Sequence, residues 1–244
     1  IEPLQSVNSS ILNFVDKIRY STDPHFGFIS FSDRAGTSPT DTFSDYEVSW
    51  AYPITGPGTF PLPAYHVDGA NNHYSDITNT LSLPGTVGPT TNLMVVDGGA
   101  NTADALREAL DHLDPAGPVP TTRTGAARAI ILITDGLPTF DLGGFAFSPP
   151  PPANSPAEAD ALDQARNRAK PAGIPIYVVA LSQDSGNDTH LDNIYSDSAA
   201  NGIAYESGNG AKYHKLPWTG VSSTRQELDR VLGNIARQLV NLVK

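Results

Sequence analysis

A doubly wound α/β layer, meaning a mostly parallel sheet with helices on both faces, is predicted by three features of this chain. Residues 129–138 read Ala-Ile-Ile-Leu-Ile-Thr-Asp-Gly-Leu-Pro: an unbroken apolar run, then a carboxylate, then turn residues. A second apolar run, Ile174 to Leu181, follows the punctuating Gly173. Segments of helical periodicity alternate with these runs, as βα units require. Continuous apolar runs belong to strands covered on both faces, so 129–134 is expected to be fully buried. In open sheets of this kind ligands bind beyond the carboxyl ends of the strands, which is where Asp135 stands.

The elements follow in order. Leu4, Val7, Ile11, Leu12, Phe14, Val15 and Ile18 recur at helical spacing and predict an amphipathic helix over 3–20. Phe26 to Phe31 reads as a strand, and Tyr46 to Tyr52 alternates like an edge strand. Residues 53–92 are rich in Pro, Gly, Asn and Thr and predict a long loop insertion. Thr102 to Leu113 places Ala105, Leu106, Ala109, Leu110 and Leu113 on one helical face. Residues 140–156 carry Pro149 to Pro152 and read as a second, Pro-rich loop insertion. A helix over 157–170, a polar stretch over 182–210, a short strand over 211–216 and a closing helix over 224–243 complete a single domain spanning 1–244.

Composition narrows the function. A chain of 244 residues can bury a substantial core. Its formal charge of −11 argues against nucleic acid, which demands clustered Lys and Arg. With no cysteine, disulfides, thiolate metal sites and cysteine nucleophiles are excluded. No run approaches the ~20 apolar residues of a membrane-spanning helix. There is no Gly-x-Ser-x-Gly elbow, no His-Glu-x-x-His and no phosphate-binding loop. Asp135 as a phosphoryl-accepting nucleophile lacks a second acidic neighbour in sequence and a helper lysine. A binding module, not an enzyme, is expected.

Five segments carry a family resemblance: Phe26–Ser32 (FGFISFS), Gly98–Leu110 (GGANTADALREAL), Ala129–Thr139 (AIILITDGLPT), Ala172–Leu181 (AGIPIYVVAL) and 227–243 (ELDRVLGNIARQLVNLV). Together they resemble the von Willebrand factor type A family, and more loosely the type A domains of Tad-pilus proteins of the TadG kind. The resemblance implies an extracellular or cell-surface adhesion or assembly module. It also implies a Mg²⁺ site (Ca²⁺ being the alternative) built from an Asp-x-Ser-x-Ser loop, a Thr of a second loop and an Asp of a third. Asp135 matches the third loop. The first loop has no counterpart, Asp184-Ser185-Gly186 being the nearest approach. In the second, Ala100 stands where the family has a ligating Thr, leaving Thr102 as the nearby hydroxyl, with helix N-capping as its plainer role. Asp135 and Thr102 are therefore the candidate metal ligands.

The resemblance also implies that the family's central first strand is not among these residues, Ile1 falling about where the first helix would begin. A strand of about six residues buries some four large apolar side chains, worth ~6–12 kcal/mol, against a net domain stability of ~5–15 kcal/mol. The expected partner is therefore a cleaved N-terminal peptide, or a neighbouring subunit, that donates a strand. A structural pilus or filament subunit that uses the fold as a scaffold without metal is the rival expectation. Aromatics gather around the first insertion, and Trp50, Tyr52, Tyr65 and Tyr74 are candidate partner-binding residues. His66, Asp68, His73 and Asp76 lie close together there as a further possible metal cluster.

Overall fold

The computed structural model describes residues 2–18, 25–26, 29, 31, 65–66, 100–118, 125–143, 145–147, 155–182, 188–198, 200–208, 210–218 and 221–242. The expectations resting on Tyr46 to Tyr52, Tyr74 and nearly all of 53–92 lie outside these residues. Tyr65 is described only as backbone.

Helix α1 (Glu2–Ile18) opens the chain, and the short strands β1 (His25–Phe26) and β2 (Tyr65–His66) pair antiparallel. Helix α2 (Thr102–Leu113) leads into strand β3 (Ile130–Thr134). Helix α3 (Pro156–Asp163) continues through a π-helical stretch (Gln164–Ala169) and a last α-helical turn (Lys170–Ala172). Gly173 ends it at φ 70°, a left-handed position that favours glycine. Strand β4 (Ile176–Ser182), helices α4 (Asp188–Tyr195) and α5 (Ile203–Ser207), strand β5 (Tyr213–Pro217) and helix α6 (Val221–Leu242) follow.

Strands β3, β4 and β5 form one parallel sheet in that order, with Ile130 opposite Ile176 and Val178 opposite Tyr213. Helices lie on both faces, as predicted. On one face Leu106, Leu110, Ile130, Leu132, Val178 and Ala180 pack with the alanine stripe Ala161, Ala165 and Ala169. Ile29 and Phe31 pack against this same core. On the other face Tyr177, Val179 and Leu181 meet α1 and α6 through Val7, Phe14, Val15, Leu228, Leu232 and Ile235. Each such side chain, once buried, is worth ~1.5–3 kcal/mol, so the two layers account for why this chain orders around β4.

Three expectations change. Strand β3 is buried only on alternate residues: Ile130, Leu132 and Thr134 are covered, whereas Ile131 and Ile133 are partly buried against the α1 and α6 core. Its neighbour β4 is buried throughout. The physical reason is position, because β3 ends the described sheet. The stretch 182–210 also contains two helices that polarity had hidden; Leu191, Ile194 and Tyr195 turn inward at helical spacing. Finally, Thr102 does not cap α2. Asn101 does, its side-chain oxygen accepting from the Asp104 N–H at 3.0 Å.

Candidate functional site

The carboxyl end of the sheet is built from two loops tied to each other. Strand β3 delivers Asp135 to its end, where the side chain is exposed. The turn after it is held from within: the Gly136 N–H donates to Thr134 Oγ1 at 3.3 Å, and the Thr134 hydroxyl donates to the Gly136 carbonyl at 3.1 Å. The Tyr195 hydroxyl reaches the same carbonyl at 2.9 Å from helix α4. Tyr195 is completely buried, and burial raises its pKa above the ordinary phenol value, with smaller upward contributions from the charges of Glu158 and Asp135. Neighbouring hydroxyls of Thr102 and Thr134 act in the opposite direction. The phenol therefore stays protonated and serves as a fixed donor under the Asp135 turn.

The second loop meets the first at Ala100. The Ala100 N–H donates to Thr139 Oγ1 at 2.6 Å, and the Thr139 N–H donates back to the Ala100 carbonyl at 2.9 Å. Asn101 completes the seam, its amide donating to the Asp141 carbonyl at 3.0 Å. Beyond it, residues 139–143 and 145–147 run back alongside each other, with Phe140 opposite Ala146 and the Phe147 N–H donating to the Thr139 carbonyl at 2.7 Å. Asp141 Oδ1 accepts from the Phe145 N–H at 2.9 Å, and Asp160 Oδ2 accepts from the Leu142 N–H, also at 2.9 Å. This braced hairpin leaves Phe145 70 % exposed, the most exposed large apolar side chain among the described residues. The part of the Pro-rich insertion that is described is thus an ordered turn.

The chain from β3 into α3 is acidic in sequence. Asp135, Asp141, Glu158, Asp160 and Asp163 fall between Arg128 and Arg166 with no Lys, Arg or His among them in sequence. His190 of α4 lies 2.5 Å from Glu158, a charge contact when the imidazole is protonated and not an aligned hydrogen bond.

The structure places the two candidate ligands in different settings. Asp135 is presented outward. Thr102 is fully buried, its hydroxyl beside the Tyr195 phenol and without a partner in good hydrogen-bond geometry. Among the described residues no group of three or more His, Asp or Glu stands close enough to hold a metal ion. Mg²⁺ takes octahedral oxygen ligands, so Asp135 with one buried hydroxyl does not make a site unaided. Trp50, Tyr52 and Tyr74 fall outside the described residues, and the Tyr65 side chain with them. Sequence reasoning missed Tyr195, Asn101 and Phe145. The inward spacing of Leu191, Ile194 and Tyr195 was the available signal for the first, and the Asn101-x-x-Asp104 pattern for the second.

Comparison with known proteins adds family and fold. The model of the von Willebrand factor type A domain matches residues 90–217. No curated protein sequence matches the chain. Among solved structures, the PilB minor pilin from Streptococcus sanguinis is similar at a TM-score of 0.51 and 15 % identity, covering 97 % of this chain and 55 % of that one. A point mutant of the same pilin aligns at a TM-score of 0.52 and 13 % identity, covering 98 % and 55 %. The chain therefore spans little more than half the length of these neighbours, and the likeness is one of fold.

Proposed function

The chain belongs to the von Willebrand factor type A domain family, and on that footing we propose that it is an adhesion or assembly module of a cell surface or pilus, binding a protein partner and performing no chemistry of its own. The observation that carries this reading is the presentation of Asp135. It stands exposed at the carboxyl end of β3, on a turn fixed by Thr134 and by the buried Tyr195. The fold likeness to minor pilins supports a pilus setting.

In the finer form of the proposal, Mg²⁺ (or Ca²⁺) is held by Asp135 together with oxygen ligands brought by a partner that also supplies a strand, either a separate peptide or a neighbouring subunit. A bound cation there would bridge Asp135 to a carboxylate of the partner. Ala100 and the burial of Thr102 instead favour a second reading, a scaffold that joins its neighbours without metal. Isothermal titration of the partner-bound protein, as recovered from its source, with Mg²⁺ separates the two. Heat of binding that disappears in Asp135→Ala is the expected result for metal-assisted adhesion, and silence in both proteins favours the scaffold.

A further inference from the structure

Helix α5 is entered through two residues whose identities the backbone dictates. Asn201 is the one non-glycine at positive φ among the described residues, at 89°. Asparagine tolerates that left-handed region better than most residues that carry a side chain. Gly202, buried beside it, has no room for a side chain at all. A Cβ there would collide with the Ser196 carbonyl oxygen and stand 2.7 Å from Ser196 Cβ. The fold therefore calls for asparagine followed by glycine at this point.

That pair is chemically labile. The backbone nitrogen after an asparagine can attack the side-chain amide carbon and close a five-membered ring, and a side chain on the following residue is the main obstacle. Gly202 presents none. Asn201 is exposed, so water has access to it. Its Oδ1 already accepts from Arg166 Nη2 at 3.3 Å. The guanidinium is always charged; it draws electron density from the amide carbonyl and stands where negative charge collects on Oδ1 during the attack. Arg166 is aimed by Glu206, whose Oε1 accepts from the same Nη2 at 2.9 Å. The Glu206 carboxylate also takes the Asn201 backbone N–H, which pins residue 201 beside the donor.

We propose that Asn201 is a site of spontaneous deamidation, with Arg166 as the donor to the developing oxyanion. The Gly202 nitrogen loses its proton to solvent and bonds to Asn201 Cγ. The Cγ–Nδ2 bond then breaks and ammonia leaves, giving a cyclic imide. Water, the sole co-reactant, opens the ring without any redox change. Breaking the bond from the Gly202 nitrogen to Cγ yields aspartate at 201. Breaking its bond to the backbone carbon yields isoaspartate, with the main chain routed through Cγ.

The isoaspartate form adds one carbon to the main chain directly before Gly202, which has no slack against Ser196. The Ser196 carbonyl also accepts the Tyr205 N–H at 2.9 Å, and Ser196 follows Tyr195, the donor to the Gly136 carbonyl. The modification therefore loosens the joint between α5 and the end of α4, on the helix that braces the Asp135 turn. This goes beyond the adhesion reading and does not depend on it.

The test incubates the whole folded chain at mildly alkaline pH, well below its melting temperature. Peptide mapping by mass spectrometry and methylation by an isoaspartate methyltransferase follow residue 201, and hydrogen exchange follows the Tyr205 amide. Isoaspartate should accumulate at 201 faster as pH rises, because the attacking nitrogen must lose its proton, and Tyr205 should lose protection in step. Arg166→Gln, compared below the melting temperature of both proteins, should slow the reaction about tenfold, the loss of one donor to the oxyanion. Asn201→Gly keeps the positive φ without the amide, so its Tyr205 amide should stay protected throughout the incubation. An unmodified Asn201 in the folded chain overturns the proposal. So does an equal rate in Arg166→Gln, or equal loss of Tyr205 protection in Asn201→Gly.

Discussion

Individual side chains at the sheet end divide by solvent access. Asp135 faces out and can meet a cation or a basic partner, whereas Tyr195 is sealed beneath it and holds the turn through the Gly136 carbonyl. Asp135 was legible in the sequence because a carboxylate closing an apolar run is rare and positional. Tyr195 was not, since it lies some sixty residues away and meets the turn only through the fold. Thr102 illustrates the limit of motif reading: its place in the chain suggests a ligand or a cap, yet burial gives the cap to Asn101. His214 carries the pH dependence. Burial lowers its pKa from the ordinary 6.5, aided by Arg230 and Lys212, while Asp197 opposes. A depressed base binds its proton less readily when folded, so the unfolded chain takes up more protons just below pH 6.5 and stability falls as pH drops through that window. The urea midpoint should decline from pH 7.5 to 5.5 more steeply in the parent than in His214→Gln, and equal slopes would contradict this assignment.

Elements were read best where periodicity is strong. Helix α2 begins and ends at the predicted residues, because its apolar face repeats cleanly, and β4 and α6 fall within a few residues of expectation. The two helices inside 182–210 escaped because their few apolar residues sit among polar ones and only packing under the sheet end reveals them. Strand β3 teaches the opposite lesson. Its apolar run implies cover on both faces, yet among the described residues Ile131 and Ile133 are only partly buried. The start of α2 is the element whose stability rests most on one side chain, because Asn101 both caps the helix and ties the two loops through Asp141. Asn101→Ala should cost about 1 kcal/mol from the cap, with a further ~1 kcal/mol from the lost loop bond. A chemical-denaturation midpoint unchanged by the substitution would show that the seam is not held there.

The described residues form a sheet clamped between two cores, one lined by α2 and the alanine stripe of α3, the other by α1 and α6. Among the described residues no helix is long and apolar enough to cross a membrane. The fold class was legible because alternating helices and apolar strands admit few topologies, whereas the bracing of the sheet end was not, since its hydrogen bonds join residues far apart in sequence. The account turns on Asp135, and isothermal titration of the partner-bound protein with Mg²⁺, in the parent and in Asp135→Ala, tests it most directly. Heat of binding in the parent that is lost in Asp135→Ala is the predicted result. Heat of the same size in both proteins, or none in either, would contradict the account.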